Sequence, residues 1–285
     1  MQRRDTPEEV HVGSSSGSPA MARSVSPLTV RTGSAHVSSM VWTLIRTDFK
    51  VRYHGTVGGF VWALLKPVSM FVVLLGVFSL VFIQTDPHYR LNLILGLFLW
   101  EFFADGTRVG LVSLFSKGYL LSKTRFPRWI VVVTSLANPV INLAIFTVAI
   151  LLYLGVTGRL PSPLRLLLFL SYAIELVVIV LGFSLAMSVL YLRFRDLTHL
   201  WDAIAQAGFF VAPIVFPMSM IPERARVYLH LWPPTPVIEF SRQVLIEGTF
   251  PTLRENMFLL GVSASILALG TVVFRRLAPG AAEHL

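Results

Sequence analysis

The sequence predicts an all-α polytopic membrane protein: six transmembrane helices, an N-terminal amphipathic helix at the interface, and short outward re-entrant helices between spans five and six. Three observations predict it. Apolar runs long enough to cross a bilayer recur along the chain, where about 20 apolar residues suffice. Apolar residues make up 54% of the 285 positions and charged residues 14%, with a mean hydropathy of +0.70, which leaves too little polar surface for a soluble domain of this size. The basic residues, finally, cluster in short segments between the apolar runs.

That clustering also interprets the formal net charge of +9. Nucleic acid would call for a basic face on a folded soluble domain, and none is present in the pattern. Anionic lipid headgroups and cytoplasmic protein partners are the expected counterparts. The chain has no cysteine, which excludes disulfides, thiolate metal sites and a cysteine nucleophile.

Residues 1–33 are rich in Ser, Gly, Thr and Pro, with no apolar stretch behind Arg3 and Arg4. They are expected to form a disordered cytoplasmic tail and not a signal peptide. The membrane domain is expected over 34–276, with a short cytoplasmic tail over 277–285. The chain is organised around the stretch from Trp42 to Ile83. Val37, Met40, Val41, Leu44, Ile45 and Phe49 form an apolar stripe at helical spacing, with Arg46 and Lys50 four residues apart on the polar side. This is the pattern of a helix lying on a membrane surface. Arg52, Tyr53 and the Gly55–Gly59 turn follow, then Trp62 and Lys66 at the level of an aromatic belt and a snorkelling cation. Span one runs from Pro67 to Ile83.

Span two begins near Leu91; its apolar residues reach Phe103, then resume from Val109 to Phe115 beyond Asp105 and Arg108. The polar segment Ser116–Arg128 separates it from span three, Trp129–Leu154, which Pro139 should kink. Gly155–Pro163 is a turn and Leu164–Leu192 is span four. Arg193, Arg195 and Asp196 form the next polar turn, ahead of span five from about Leu200 to Phe216. The proline-rich stretch Pro217–Leu253 is too interrupted to cross and is expected to make re-entrant or interfacial helices. Span six, Met257–Phe274, stops at Arg275 and Arg276. Outside the spans, sixteen Lys and Arg fall on the side of the termini and seven on the other, which predicts cytoplasmic termini and an outward-facing 217–253 segment.

Candidate chemistry is sparse. Glu101 and Asp105 share a helix face with Arg108 and read either as a polar pathway or as a salt-bridged helix end. Glu175 falls near the middle of span four, where an ionised carboxylate costs about 2.5–3.5 kcal/mol on insertion scales; it must face a partner or a cavity, or stay protonated. The aromatics Phe102, Phe103, Trp201, Phe209 and Phe210 could stack on sugar rings or pack the core. The seven histidines make no metal-spaced pair, and no soluble carboxylate pair suggests glycosyl transfer. No G-x-x-x-x-G-K-[ST] occurs, so ATP, if used, must be bound by another polypeptide.

The motifs resemble a known family. Arg52-Tyr53 with Thr56, Gly59, Trp62 and Pro67 is similar to the R-Y-x-x-[ST]-x-L-G-x-x-W access sequence of ABC-2 type permeases that export polysaccharides and teichoic acids. Leu120-Leu121-Ser122-Lys123-Thr124-Arg125-Phe126-Pro127 resembles the family's L-[IV]-x-K-x-x-F-P segment. Arg195-Asp196, Ala212-Pro213-Ile214 and Ile221-Pro222 resemble its R-D and P-I stretch. Thr235-Pro236-Val237-Ile238-Glu239, with Arg242 and Gly248, resembles its outward re-entrant region. The likeness runs collinearly over about residues 36–276. Two positions depart: Gly58 replaces the usual Leu, and Trp232 stands before Pro233 where Asn is usual. The basic, cysteine-free chain with a polar tail also resembles actinobacterial members that export cell-wall galactan.

The resemblance implies an ABC-2 exporter fold with no catalytic site or cofactor of its own. It also implies a twelve-span pore made with a second copy, two cytoplasmic ATPase subunits that bind ATP and Mg, and a polyprenyl-linked glycan as substrate. Arg46, Lys50, Arg52, Tyr53, Gly59 and Trp62 would then form the substrate-access helix, or a plain lipid anchor. Lys117, Lys123, Arg125, Phe126, Pro127, Arg195 and Asp196 would couple to the ATPase, or simply carry positive-inside charge. Pro213, Pro222, Pro236, Glu239 and Arg242 would belong to the outer gate. An exporter of small amphiphiles is the nearest alternative. A proton-coupled transporter would instead use Glu101, Asp105 and Glu175 as a relay.

Overall fold

The computed structural model describes residues 41–48, 50, 61–82, 86–118 and 127–280. Residues 41–48 and 50 are helical. The following elements are α1 (Val61–Phe82), α2 (Tyr89–Ser116), α3 (Arg128–Ser135), α4 (Ala137–Val156), α5 (Pro163–Arg193), α6 (Leu197–Val211), α7 (Glu223–His230), α8 (Pro234–Arg242) and α9 (Leu253–Leu277). A single 3-10 turn covers Met218–Met220, and a π turn covers Gln243–Glu247. Among the described residues, four stretches are long and apolar enough to cross a membrane by length and composition: Leu64–Phe82, Arg128–Val156, Pro163–Arg193 and Leu253–Leu277.

Helix α5 is the spine, with α9 on one side and α2 on the other. Small residues permit both contacts, as expected where hydrocarbon surrounds the helices and packing replaces a hydrophobic drive. A methyl group at Gly182 would stand 2.7 Å from the carbonyl oxygen of Ile266, and one at Gly270 would fall on the carbonyl of Gly182. Across the other interface, Gly110 faces Ser184 and Gly106 faces Val180, 2.9 Å from where a Cβ would lie. Helix α2 is therefore buried along most of its length, through Leu93, Leu95, Leu99, Leu111 and Leu114. Helix α1 packs chiefly on α2 and leaves Val72, Val73, Val77 and Leu80 exposed.

The second span read from about Leu91 is one continuous helix, α2, that carries Glu101, Asp105 and Arg108 inside it. The third span carries the expected interruption, breaking at Leu136 into α3 and α4 while remaining one apolar stretch, Arg128–Val156. Pro139 explains the break, because it cannot donate to Ser135 and its ring collides with that carbonyl. Helix α6 ends at Val211, short of Phe216: Pro213 forces Ala212 into an extended conformation, with ψ at 137°.

The segment after α6 folds as short pieces. Gly248, at φ 73°, closes the π turn in the left-handed conformation that favours glycine. Helix α9 then starts on a capping box: Glu255 N–H donates to Thr252 Oγ1 at 3.3 Å, and Thr252 N–H donates to Glu255 Oε2 at 2.7 Å. Arg275 and Arg276 sit in its last turn, where the helix dipole favours cations.

Candidate functional site

Charge inside the helical body is concentrated where α1, α2 and α6 meet. Lys66 Nζ of α1 donates to Glu101 Oε1 of α2 at 2.7 Å. Two turns further along α2, Arg108 Nη2 lies 3.4 Å from Asp202 Oδ2 of α6. Asp105 stands between these positions on the same helix face, half-buried. Glu101 lies about 18 Å from the Tyr89 end of α2 and about 22 Å from the Ser116 end, at 1.5 Å per residue. Yet the Lys66 side chain is 75% exposed and that of Arg108 66%. Charges presented to hydrocarbon would cost several kcal/mol apiece, so this face is suited to water or another protein surface. The pairs Lys66–Glu101 and Arg108–Asp202 could not be read from sequence, since each joins separate helices at no fixed spacing.

Aromatics continue the face. Phe210 is 68% exposed, and Phe209 beside it is half-buried, edge-on to Trp100 at 5.8 Å. Trp62 is exposed on α1. Phe102 and Phe103, by contrast, are buried, so the packing alternative holds for them. Behind the face, Trp201 Nε1 donates to Thr107 Oγ1 at 3.0 Å. Trp232, from the loop between α7 and α8, lies 5.8 Å from Phe103 and 6.5 Å from both Trp100 and Trp201, ring centre to ring centre.

The segment from 212 to 247 is tied down by Arg242, which is only 6% exposed. Its Nε and Nη2 donate to the Asn92 carbonyl at 3.0 and 2.8 Å, Nη2 also donates to Ile214 O at 3.0 Å, and Nη1 donates to Pro213 O. Gly96 leaves the room: a Cβ there would be 2.6 Å from Nη2. Burial pulls the guanidinium down to about 10, opposed by the charges of Asp86, Glu239 and Glu247; it stays cationic at neutral pH. Arg242 also lines a cavity of about 430 Å³ with Asp86, Asn92, Arg226, Glu239 and Glu247. Glu239 Oε2 is paired with His230 Nε2 at 2.6 Å. Pro213 and Pro236 are buried and Pro222 is exposed. The expected outer-gate residues thus divide into a packed base and an open rim. The role of Arg242 as a backbone clamp was invisible in sequence, because its partners are carbonyls.

At the opposite end of α2, Lys117 is ion-paired with Asp48 of the N-terminal helical residues. Arg195 stacks over the Phe115 ring at 4.7 Å, and Asp196 beside it is exposed. Pro127 is exposed at the start of α3. Arg46 and Lys50 are helical and exposed. Arg52, Tyr53, Gly59, Lys123, Arg125 and Phe126 lie outside the described residues. Glu175 stands apart on α5, with Oε2 buried and without a hydrogen-bond partner among the described residues; the structure does not bring it to Glu101 or Asp105. No group of three or more His, Cys, Asp or Glu among the described residues could hold a metal ion.

A family profile described as ABC-2 type transporter matches residues 39–246. Among curated proteins, the chain is 28% identical over 251 residues to an O-antigen export system permease protein RfbA of Klebsiella pneumoniae, covering 88% of this chain and 96% of that protein. It is 28% identical over 244 residues to the protein of the same description from Myxococcus xanthus, covering 81% and 90%. The polysialic acid transport protein KpsM of Escherichia coli is 25% identical over 247 residues, covering 82% and 88%.

Proposed function

The chain belongs to the ABC-2 type transporter family, and we propose that it is the membrane permease subunit of an ABC exporter for a polyprenyl-linked polysaccharide of the O-antigen, teichoic acid or galactan type. The descriptions of its relatives, O-antigen export and polysialic acid transport, support that substrate class. In this reading two copies form the conduit in the plasma membrane, and two separate cytoplasmic ATPase subunits bind ATP and Mg. Helices α2 and α6 complete a six-span subunit, both termini are cytoplasmic, and the 217–253 segment faces outward as the gate.

The observation that carries the conduit is the exposed charge that Lys66, Arg108 and Asp202 place on α1, α2 and α6. A charged, aromatic-edged surface suits a hydrated glycan: charged and polar groups replace water at its hydroxyls, and Phe209, Phe210 and Trp62 offer ring faces to sugars. A second copy facing this surface would remove it from lipid. The chain's own residues would bind and orient the glycan; the ATPase would supply the energy.

Depletion in cells tests the reading. Surface polymer should disappear while synthesis continues, and carrier-linked glycan should accumulate where external enzymes and lectins cannot reach it. Inactivating ATP binding in the partner should give the same phenotype. Normal surface polymer with new sensitivity to small amphiphiles would overturn the glycan assignment in favour of a small-molecule exporter.

A further inference from the structure

A second groove lies on the other flank of α1, away from the charged face, and nothing in the export reading uses it. It is a cavity of about 500 Å³ between α1, α2 and α4. We propose that it binds an acyl chain of an anionic phospholipid, with the lipid phosphate held by Arg90.

Three features select this occupant. The first is length. Along α1 the groove runs from Leu64 to Leu75, about 16 Å, and along α2 from Phe98 back to Arg90, about 12 Å. Each of these stretches is comparable to half of a hydrocarbon core about 30 Å thick, about 15 Å, the length that one acyl chain fills. The second is lining. All of its residues but one are uncharged and predominantly apolar, and its floor is the stacked pair Phe98–Phe146, with ring centres 4.1 Å apart. A protein helix seated there would need no cation at one end. An amphiphile with an anionic head does.

The third is the charge at the mouth. Among the described residues, Arg90 is the one charged residue lining the groove; it is exposed, at the start of α2. The directions of α1, α2 and α4 bring Leu75, Arg90 and Tyr153 to the same end, with Tyr153 exposed beside the cation. An aromatic and an arginine at one level are what a headgroup region calls for. Arg159, 3.4 Å from His88, adds positive charge at that end. The inference rests on reading α2 as a span and on nothing about the exported substrate.

The test uses the full chain purified from membranes in mild detergent, with retained lipid measured by native mass spectrometry after titration with phosphatidylglycerol, phosphatidylcholine or polyprenyl phosphate. The wild type should hold phosphatidylglycerol in preference to the other two. Ala149→Trp, at an exposed position lining the groove, should abolish that retention. Arg90→Gln should weaken phosphatidylglycerol binding about fivefold and phosphatidylcholine binding less, because the choline cation offsets the phosphate in the latter. Arg90 is exposed, so this variant keeps the test valid if Ala149→Trp does not fold. Equal retention of all lipids, or no change in either variant, overturns the proposal. A preference for polyprenyl phosphate overturns the phospholipid assignment. A change in oligomeric state with Ala149→Trp and no lipid effect would show the groove to be a contact between copies. Failure of lipid binding with intact glycan export leaves the proposed function standing.

Discussion

The Trp232 indole occupies the space in which any side chain at Gly208 would stand: a Cβ there would fall within 2.4–3.2 Å of three atoms of the ring system. One residue comes from the loop between α7 and α8, the other from within α6, so this contact joins the segment assigned to the gate to a helix of the charged face. Gly208→Ala should cost about 1–3 kcal/mol, as overpacking does, unless the indole swings out. Trp232→Ala should cost about 3 kcal/mol, the low end for truncating an aromatic, because the ring is only partly buried. In the double variant the losses should fall short of their sum, since both act on one contact. Thermal unfolding of the four proteins in detergent measures this, and additive losses would mean that the two residues act independently.

Arg242 is the second lever on the same segment. Removing it in Arg242→Ala strands the carbonyls of Pro213 and Ile214 and leaves that of Asn92 with its helical donor alone, at about 1–3 kcal/mol for each buried acceptor left without a donor. Arg242→Lys keeps the charge but lacks the planar fork, so it should recover only part of the loss. Limited proteolysis across residues 217–230 should be fastest in the alanine variant and intermediate in the lysine variant. Equal rates in all three would show that the clamp does not hold the segment.

Legibility in the sequence follows from how local each signal is. Helices α5 and α9 come from long apolar runs bounded by prolines and arginines, and their positions were readable to within a few residues. In α2 the charges Glu101, Asp105 and Arg108 interrupted the run; their helical continuity depends on α1, α5 and α6, which no window of sequence contains. Pro139 and Pro213 act locally, through a missing N–H and a constrained preceding residue. The resulting break at Leu136 could therefore be anticipated, while the early end of α6 was overrun because Ile214 to Phe216 are apolar. In the sequence Trp232 stands out only as a departure from a family pattern. Its place against Gly208, like the Arg242 clamp, is long-range packing that spacing cannot encode.

The Lys66–Glu101 pair separates a conduit from a lipid-facing surface. Both side chains reach solvent, so their mutual attraction contributes at most about 1 kcal/mol to stability, and the informative readout is export. Lys66→Glu and Glu101→Lys should each impair export, by placing two like charges at one level, and the swapped double variant should recover most of it. If the face met lipid, Lys66→Met would instead raise stability with export unchanged.

Glu175→Gln removes a titratable group from mid-α5 with little change of shape. An ATP-driven permease should lose at most severalfold in export rate. Complete loss of export with normal assembly and normal ATP hydrolysis would favour a proton relay, although Glu175 is not gathered with Glu101 and Asp105.

The segment after α2 is the remaining assignment to test, and its surroundings motivate it. Lys117 is held by Asp48 and Arg195 by the Phe115 ring, so cations gather at one end of α2, beside the stretch that carries Lys123 and Arg125. Reversing both charges in Lys123→Glu/Arg125→Glu should leave membrane insertion intact, because neither residue belongs to an apolar run. Association with the ATPase should weaken about tenfold at low salt, and the difference from wild type should shrink as salt rises, because rim charges act mainly through screened attraction. Stimulated ATP hydrolysis should fall in parallel. Should copurification and stimulation both match the wild type across that salt range, coupling must pass through another surface, and the basic cluster would serve only to fix orientation in the membrane.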